Sequence, residues 1–167
     1  MFVLGVDPGL SRCGYGAVRK DGAALRAIAC GVITTEPTAP LPSRLATMNR
    51  EMRALLADLR PDAVVVERVF FQTNVRTAMS VGQASGLALA AAHDAGCDVF
   101  QYTANEVKHA VTGYGAAPKE QVQRMVQSLL GLAAVPKPAD AADALALALC
   151  HLAIAPVLAA ATKAGTR

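Results

Sequence analysis

Two apolar runs in this chain end on acidic residues. Phe2-Val3-Leu4-Gly5-Val6 ends at Asp7, and Ala63-Val64-Val65-Val66 ends at Glu67. Much later, Asp140 and Asp143 stand three apart in an Ala/Leu-rich helical segment, so both face one side of a helix. A carboxylate entering an apolar core is costly unless something compensates it. A fold that accommodates these four residues must therefore bring the ends of its core elements to a place where positive charge can meet them. Hard oxygen donors of this kind are suited to divalent cations.

Taken singly, some of these residues have plainer readings. Asp7-Pro8-Gly9 is a good turn, and Asp140, just after Pro138, suits a helix cap. Asp143 is different, because the following Ala-Leu-Ala-Leu-Ala-Leu segment is apolar enough to be buried. Glu67 poses the same problem at the end of its strand. Gathering four carboxylates raises the cost, since like charges oppose one another's ionisation. Two divalent cations about 4 Å apart would remove that cost and could clamp the attacking and leaving oxygens of a phosphoryl displacement. An all-oxygen donor set points to Mg²⁺ or Mn²⁺. The reaction implied is hydrolysis of a phosphodiester by activated water. No Ser-His-Asp arrangement competes with it.

The pattern along the chain is α/β. Residues 2–7 read as a buried strand stopped by Pro8-Gly9. Residues 13–20 and 24–34 read as two more strands around the Lys20-Asp21-Gly22 turn. Pro42-Ser43 opens a helix with Leu45, Met48, Met52, Leu55, Leu56 and Leu59 at helical spacing, stopped by Pro61. Strand four is 63–66. A helix rich in small residues (Ala78, Gly82, Ser85, Gly86, Ala90) then runs from about Asn74 to Ala95, and a fifth strand occupies 98–102. Thr103-Ala104-Asn105-Glu106 matches a capping box. Gly113-Tyr114-Gly115 closes that helix, Pro118-Lys119-Glu120 opens another, and the last begins near Pro138. A three-strand meander feeding a mixed sheet with flanking helices fits an α/β sandwich in which strands one and four are neighbours. One domain is expected over 1–155, with a flexible C-terminal tail over 156–167.

With 167 residues and a hydrophobic fraction of 53%, the chain can form a sizeable core without disulfides. Cys13, Cys30, Cys97 and Cys150 lack metal-ligand spacing and read as buried free thiols in a reducing cytoplasm. The amino terminus has no basic start of a signal peptide. The apolar stretch from Ala144 to Ala161 is interrupted by His151 and Pro156, which favours a buried helix and a frayed tail over a membrane span. The formal charge is +3; without the four carboxylates the remainder is +7, which suits a polyanionic partner.

The chain resembles the RuvC family of crossover junction endodeoxyribonucleases, the Holliday junction resolvases. Gly5-Val6-Asp7-Pro8-Gly9, Gly14-Tyr15-Gly16, Leu41-Pro42-Ser43-Arg44-Leu45, Glu67-Arg68-Val69-Phe70, Gly82-Gln83-Ala84-Ser85-Gly86 and Ala139-Asp140-Ala141-Ala142-Asp143-Ala144-Leu145-Ala146 carry the likeness, in order, over nearly the whole chain. It implies a ribonuclease H-like fold with a mixed five-stranded sheet flanked by helices. It further implies a homodimer that makes paired symmetric nicks in four-way junction DNA, in recombination and repair, with two Mg²⁺ per subunit, replaceable by Mn²⁺. Asp7, Glu67, Asp140 and Asp143 would be the catalytic and metal-binding carboxylates, and the partner machine would be the RuvA and RuvB branch-migration complex. Arg68 departs from the family pattern, where Gln is frequent.

The resemblance also places Phe70 against DNA bases, where a core position is the plainer reading of a Phe-Phe pair; Phe71 stays ambiguous. Lys108 and Lys119, which by default would be solvated, become candidates for the phosphates, and Arg12, Arg76 and Arg124 are weaker candidates for the DNA backbone. Three rival readings stand beside this one. An actin-like phosphotransferase shares the Gly-x-Asp-x-Gly hairpin but needs a second half. Another ribonuclease H-like nuclease, transposase-like or hybrid-specific, would share the carboxylates. A non-catalytic junction-binding module would not need them.

Overall fold

The computed structural model describes residues 1–68 and 75–164, with side chains for 1–68 and 78–155. The described residues form five strands and five helices: β1 (Phe2–Asp7), β2 (Arg12–Asp21), β3 (Ala24–Thr34), α1 (Leu41–Leu59), β4 (Ala63–Glu67), α2 (Val75–Asp94), β5 (Asp98–Tyr102), α3 (Ala104–Thr112), α4 (Lys119–Leu129) and α5 (Ala139–Ala164). The strands form one mixed sheet in the order β3-β2-β1-β4-β5. β1, β2 and β3 are the expected antiparallel meander. β4 then pairs parallel with β1, and β5 parallel with β4.

The two-residue period of the strands divides the core into two layers. Phe2, Leu4 and Val6 of β1, with Val64 and Val66 of β4, pack on Met48, Met52 and Leu56 of α1 and on Ala88, Ala91 and Ala92 of α2. Val3 of β1 and Ala63 and Val65 of β4 face the other way, against α3, α4 and α5. Continuing the alternation puts Gly5 and Asp7, like Glu67, on the face that meets α5.

That face is shaped by glycine. A Cβ on Gly5 would collide with the Ala144 carbonyl oxygen, one on Gly14 with that of Asp140, and one on Gly16 would lie 2.6 Å from the Leu145 nitrogen. The backbone of α5 therefore rests directly on β1 and β2. Leu145, Ala146, Leu147, Ala148 and Cys150 are almost wholly buried there. The helix beginning after Thr103 is capped as its sequence predicts. The Glu106 amide donates to Thr103 Oγ1 (3.2 Å), and the Thr103 amide donates to Glu106 Oε2 (2.7 Å).

Two details differ from expectation. The final helix does not stop at Pro156; it continues to Ala164, through a stretch whose alanines favour helix. Only Cys13 and Cys150 are buried, while Cys30 is exposed and Cys97 half-buried. Cys30 lies on β3, at one edge of the sheet. The small residues of α2 also divide. Ala78 and Ser85 are buried, but Gly82, Gly86 and Ala90 are exposed. No described helix is long and apolar enough to cross a membrane.

Candidate active site

The parallel register aligns Val6 with Val66, so the next residues, Asp7 and Glu67, leave adjacent strands side by side. Their carboxyl groups share a hydrogen bond, and the charges of Asp140 and Asp143 reach Asp7. Burial first, then the Glu67 charge and that hydrogen bond, push Asp7 up to about 8. Glu67 is also raised, by burial first of all, and the hydrogen bond from Asp7 partly offsets this. Burial and mutual repulsion thus raise both carboxyl groups, which titrate as one coupled pair.

The helical carboxylates have protein cations beside them. Arg12 Nε and Nη2 both donate to Asp140 Oδ2, at 2.9 and 2.8 Å. Lys119 Nζ donates to Asp143 Oδ2 at 2.5 Å, and this bond raises the Lys119 pKa. Lys119 opens α4, and Lys108 lies on α3; the charge of each lowers the pKa of Glu67. Glu67, Asp143, Lys108 and Lys119 line one cavity of about 220 Å³, together with the apolar Val107, Val122 and Leu147.

The four expected carboxylates thus lie at one end of the sheet, but not as a finished cage. Among the described residues, no three His, Cys, Asp or Glu side chains are gathered closely enough to hold an ion as they stand. The physical reason is visible in the contacts, since Arg12 and Lys119 hold Asp140 and Asp143 while Asp7 and Glu67 bond to each other. The donor set still fits hard divalent cations. It consists of oxygens only, with Asp7 destabilised as an anion by burial and then by the carboxylates around it, a penalty that a bound cation would offset. Phe70 lies outside the described residues, as does Phe71, and Arg76 lies in α2 with its side chain undescribed. Arg124 is exposed on α4 and outside the cavity.

The family model "Crossover junction endodeoxyribonuclease RuvC" matches residues 3–151. The chain belongs to the RuvC family. A RuvC of Chloroflexus aggregans is 49% identical over 158 residues, covering 95% of this chain and 96% of that protein. The Thermus thermophilus RuvC structure superposes with a TM-score of 0.86 at 39% identity, over 94% of this chain and 96% of that one. RuvC from the same organism in complex with a Holliday junction substrate gives 0.87 at 40%, over 93% and 94%. The five-stranded mixed sheet with its flanking helices is the ribonuclease H-like fold of these RuvC structures.

Sequence reasoning missed the pairing of Arg12 with Asp140. It also missed a set of contacts behind the site that involves Arg44, Thr35 and Ser11. The first had no local signal because the partners are 128 positions apart. The second had a faint one, since Arg44 lies within the Leu41-Pro42-Ser43-Arg44-Leu45 motif.

Proposed function

We propose that this chain resolves Holliday junctions by hydrolysing phosphodiesters in two strands, with Asp7, Glu67, Asp140 and Asp143 as its catalytic carboxylates. The observation that carries the assignment is the pairing of Asp7 with Glu67 at the ends of β1 and β4, directly under the α5 carboxylates, in a chain of the RuvC family. The four would hold divalent cations, two Mg²⁺ per subunit with Mn²⁺ as a substitute. When bound, these supply a nucleophilic water at neutral pH and neutralise charge on the phosphate.

The remaining steps belong to the chain's own groups. Lys119 and Lys108 stand at the cavity beside Glu67 and Asp143, where an ammonium group meets a phosphate oxygen and stabilises the charge that builds in the transition state. Arg12, half-exposed next to Asp140, is placed to exchange its carboxylate for a DNA phosphate. Val107, Val122 and Leu147 give the same cavity an apolar side. Phe70 and Arg76 belong to the same proposal as DNA contacts.

The functional unit is a homodimer, which matches the two-fold symmetry of a four-way junction and places one site at each cut. The exposed strip Met79, Gly82, Gly86 and Ala90 along α2 supports this contact, because its glycines leave room for a second backbone. Junction DNA, with the RuvA and RuvB complex as the partner machine, completes the assembly in the cytoplasm. A junction-cleavage assay of Asp7→Asn tests the reading. Binding should persist while cleavage is lost; cleavage at the wild-type rate would refute it. Parallel reactions on a linear duplex and on an RNA:DNA hybrid separate the chain from other ribonuclease H-like nucleases.

A further inference from the structure

The segment between Asp7 and Arg12 consists of four residues, Pro8, Gly9, Leu10 and Ser11. It connects the acidic pair to the guanidinium that holds Asp140, so its path sets the spacing between the sheet carboxylates and the first carboxylate of α5. The path is tight. A Cβ on Gly9 would collide with the Arg12 carbonyl oxygen. Three bonds hold the far side of this loop. The Thr35 amide donates to the Ser11 carbonyl (3.2 Å), Thr35 Oγ1 donates to the Leu10 carbonyl (2.5 Å), and Arg44 Nη2 donates to Ser11 Oγ (2.6 Å). Arg44 Nε donates to the same Thr35 Oγ1, at 3.0 Å. The Thr35 hydroxyl therefore accepts from Arg44 while donating to Leu10, and both Thr35 and Leu10 are buried. Among the described residues Arg44 has no carboxylate within ion-pair distance; its bonds go to two neutral hydroxyls.

We propose that Arg44 is a positioning residue for strand cleavage. From the first turn of α1, on the opposite face of the sheet from α5, it clasps Thr35 and Ser11 and so fixes the loop that carries Asp7 at one end and Arg12 at the other. It acts through Thr35, and it touches none of the four carboxylates. A guanidinium suits this task because its rigid planar fork places two donors at fixed separation on the two hydroxyls, whereas the donors of an ammonium all leave one nitrogen at the end of a flexible stem. The inference rests on Asp7 being catalytic, as proposed above.

The test measures single-turnover cleavage of a four-way junction at saturating enzyme, together with junction affinity, its salt dependence and the melting temperature. The variants are Arg44→Ala, Arg44→Lys, Thr35→Val and the double variant Arg44→Ala/Thr35→Val. A displaced reacting group costs on the order of 10- to 100-fold in rate, so Arg44→Ala should lose that much with affinity kept within about twofold. Arg44→Lys should recover part of the loss. Thr35→Val removes no charge yet should lose a similar factor, and the double variant should lose no more than the worse single one, because both changes open the same clasp.

A wild-type cleavage rate in Arg44→Ala overturns the proposal. So does weakened binding with a shallower salt slope and unchanged saturated rate, which would make Arg44 a phosphate contact. Losses that multiply in the double variant also overturn it. If Thr35→Val melts too low to assay, the contrast between Arg44→Ala and Arg44→Lys decides alone. Asp7→Asn runs beside these variants: if it cleaves normally the catalytic assignment itself has failed, and if it is inactive while Arg44→Ala is normal only the clasp has failed.

Discussion

Asp7 keeps its proton because burial and the neighbouring carboxylates oppose its ionisation. Its pKa rises on folding from 3.8 to about 8, so the folded state favours the protonated form. Below the lower value both states are protonated and folding bears no penalty. As pH rises through the interval, the folded state loses stability relative to the unfolded chain. Thermal melts with chelator present should therefore show this group lowering the melting temperature between about pH 4 and pH 8, with a flatter profile in Asp7→Asn, whose amide never ionises. Parallel profiles for the two proteins would contradict the assignment. Added divalent cation should raise the wild-type melting temperature more at the alkaline end, since cation and proton compete for the same oxygens. Lys119 holds Asp143 and faces Glu67 in the same cavity, so Lys119→Met should lower saturated cleavage by about 10²-fold with the fold intact.

Among the elements, α5 and the strands beneath it form the unit on which the site depends. Gly5, Gly14 and Gly16 let the helix backbone touch the sheet, and that contact puts Asp140 and Asp143 over Asp7. Gly14→Ala should force the first turn of α5 away, costing roughly 1–3 kcal/mol in denaturant melts, and should reduce cleavage at temperatures where the protein is still folded. The exposed glycines of α2 are under no such constraint, since a Cβ on Gly82 or Gly86 meets nothing within 4 Å. Elements were also where the sequence was most legible. The limits of β3 and β5 and the capping box at Thr103 follow from local turn and capping chemistry. The end of α5 did not. A proline is expected to break a helix, but Pro156 is one residue set against a run of alanines whose summed preference prevails.

For the whole molecule, the proposed two-fold assembly depends on the exposed strip of α2. A bulky replacement there, Gly86→Trp, should shift the protein to monomer in sedimentation equilibrium and reduce coordinated cutting of both strands, with the fold unchanged by circular dichroism; a dimer that persists would place the contact elsewhere. Periodicity and strand ends determined the layers, the neighbouring positions of β1 and β4, and hence the meeting of Asp7 with Glu67, because alternation of side chains is local and sterically strict. Only the tertiary structure decided which cation each helical carboxylate takes. Arg12 finds Asp140 and Lys119 finds Asp143 through the seating of α5 and α4, across 128 and 24 positions of chain. The same holds for Arg44, whose hydroxyl partners become neighbours only when α1 crosses behind the loop. Long flexible side chains take partners from whatever packing brings within reach, and no local pattern encodes that choice.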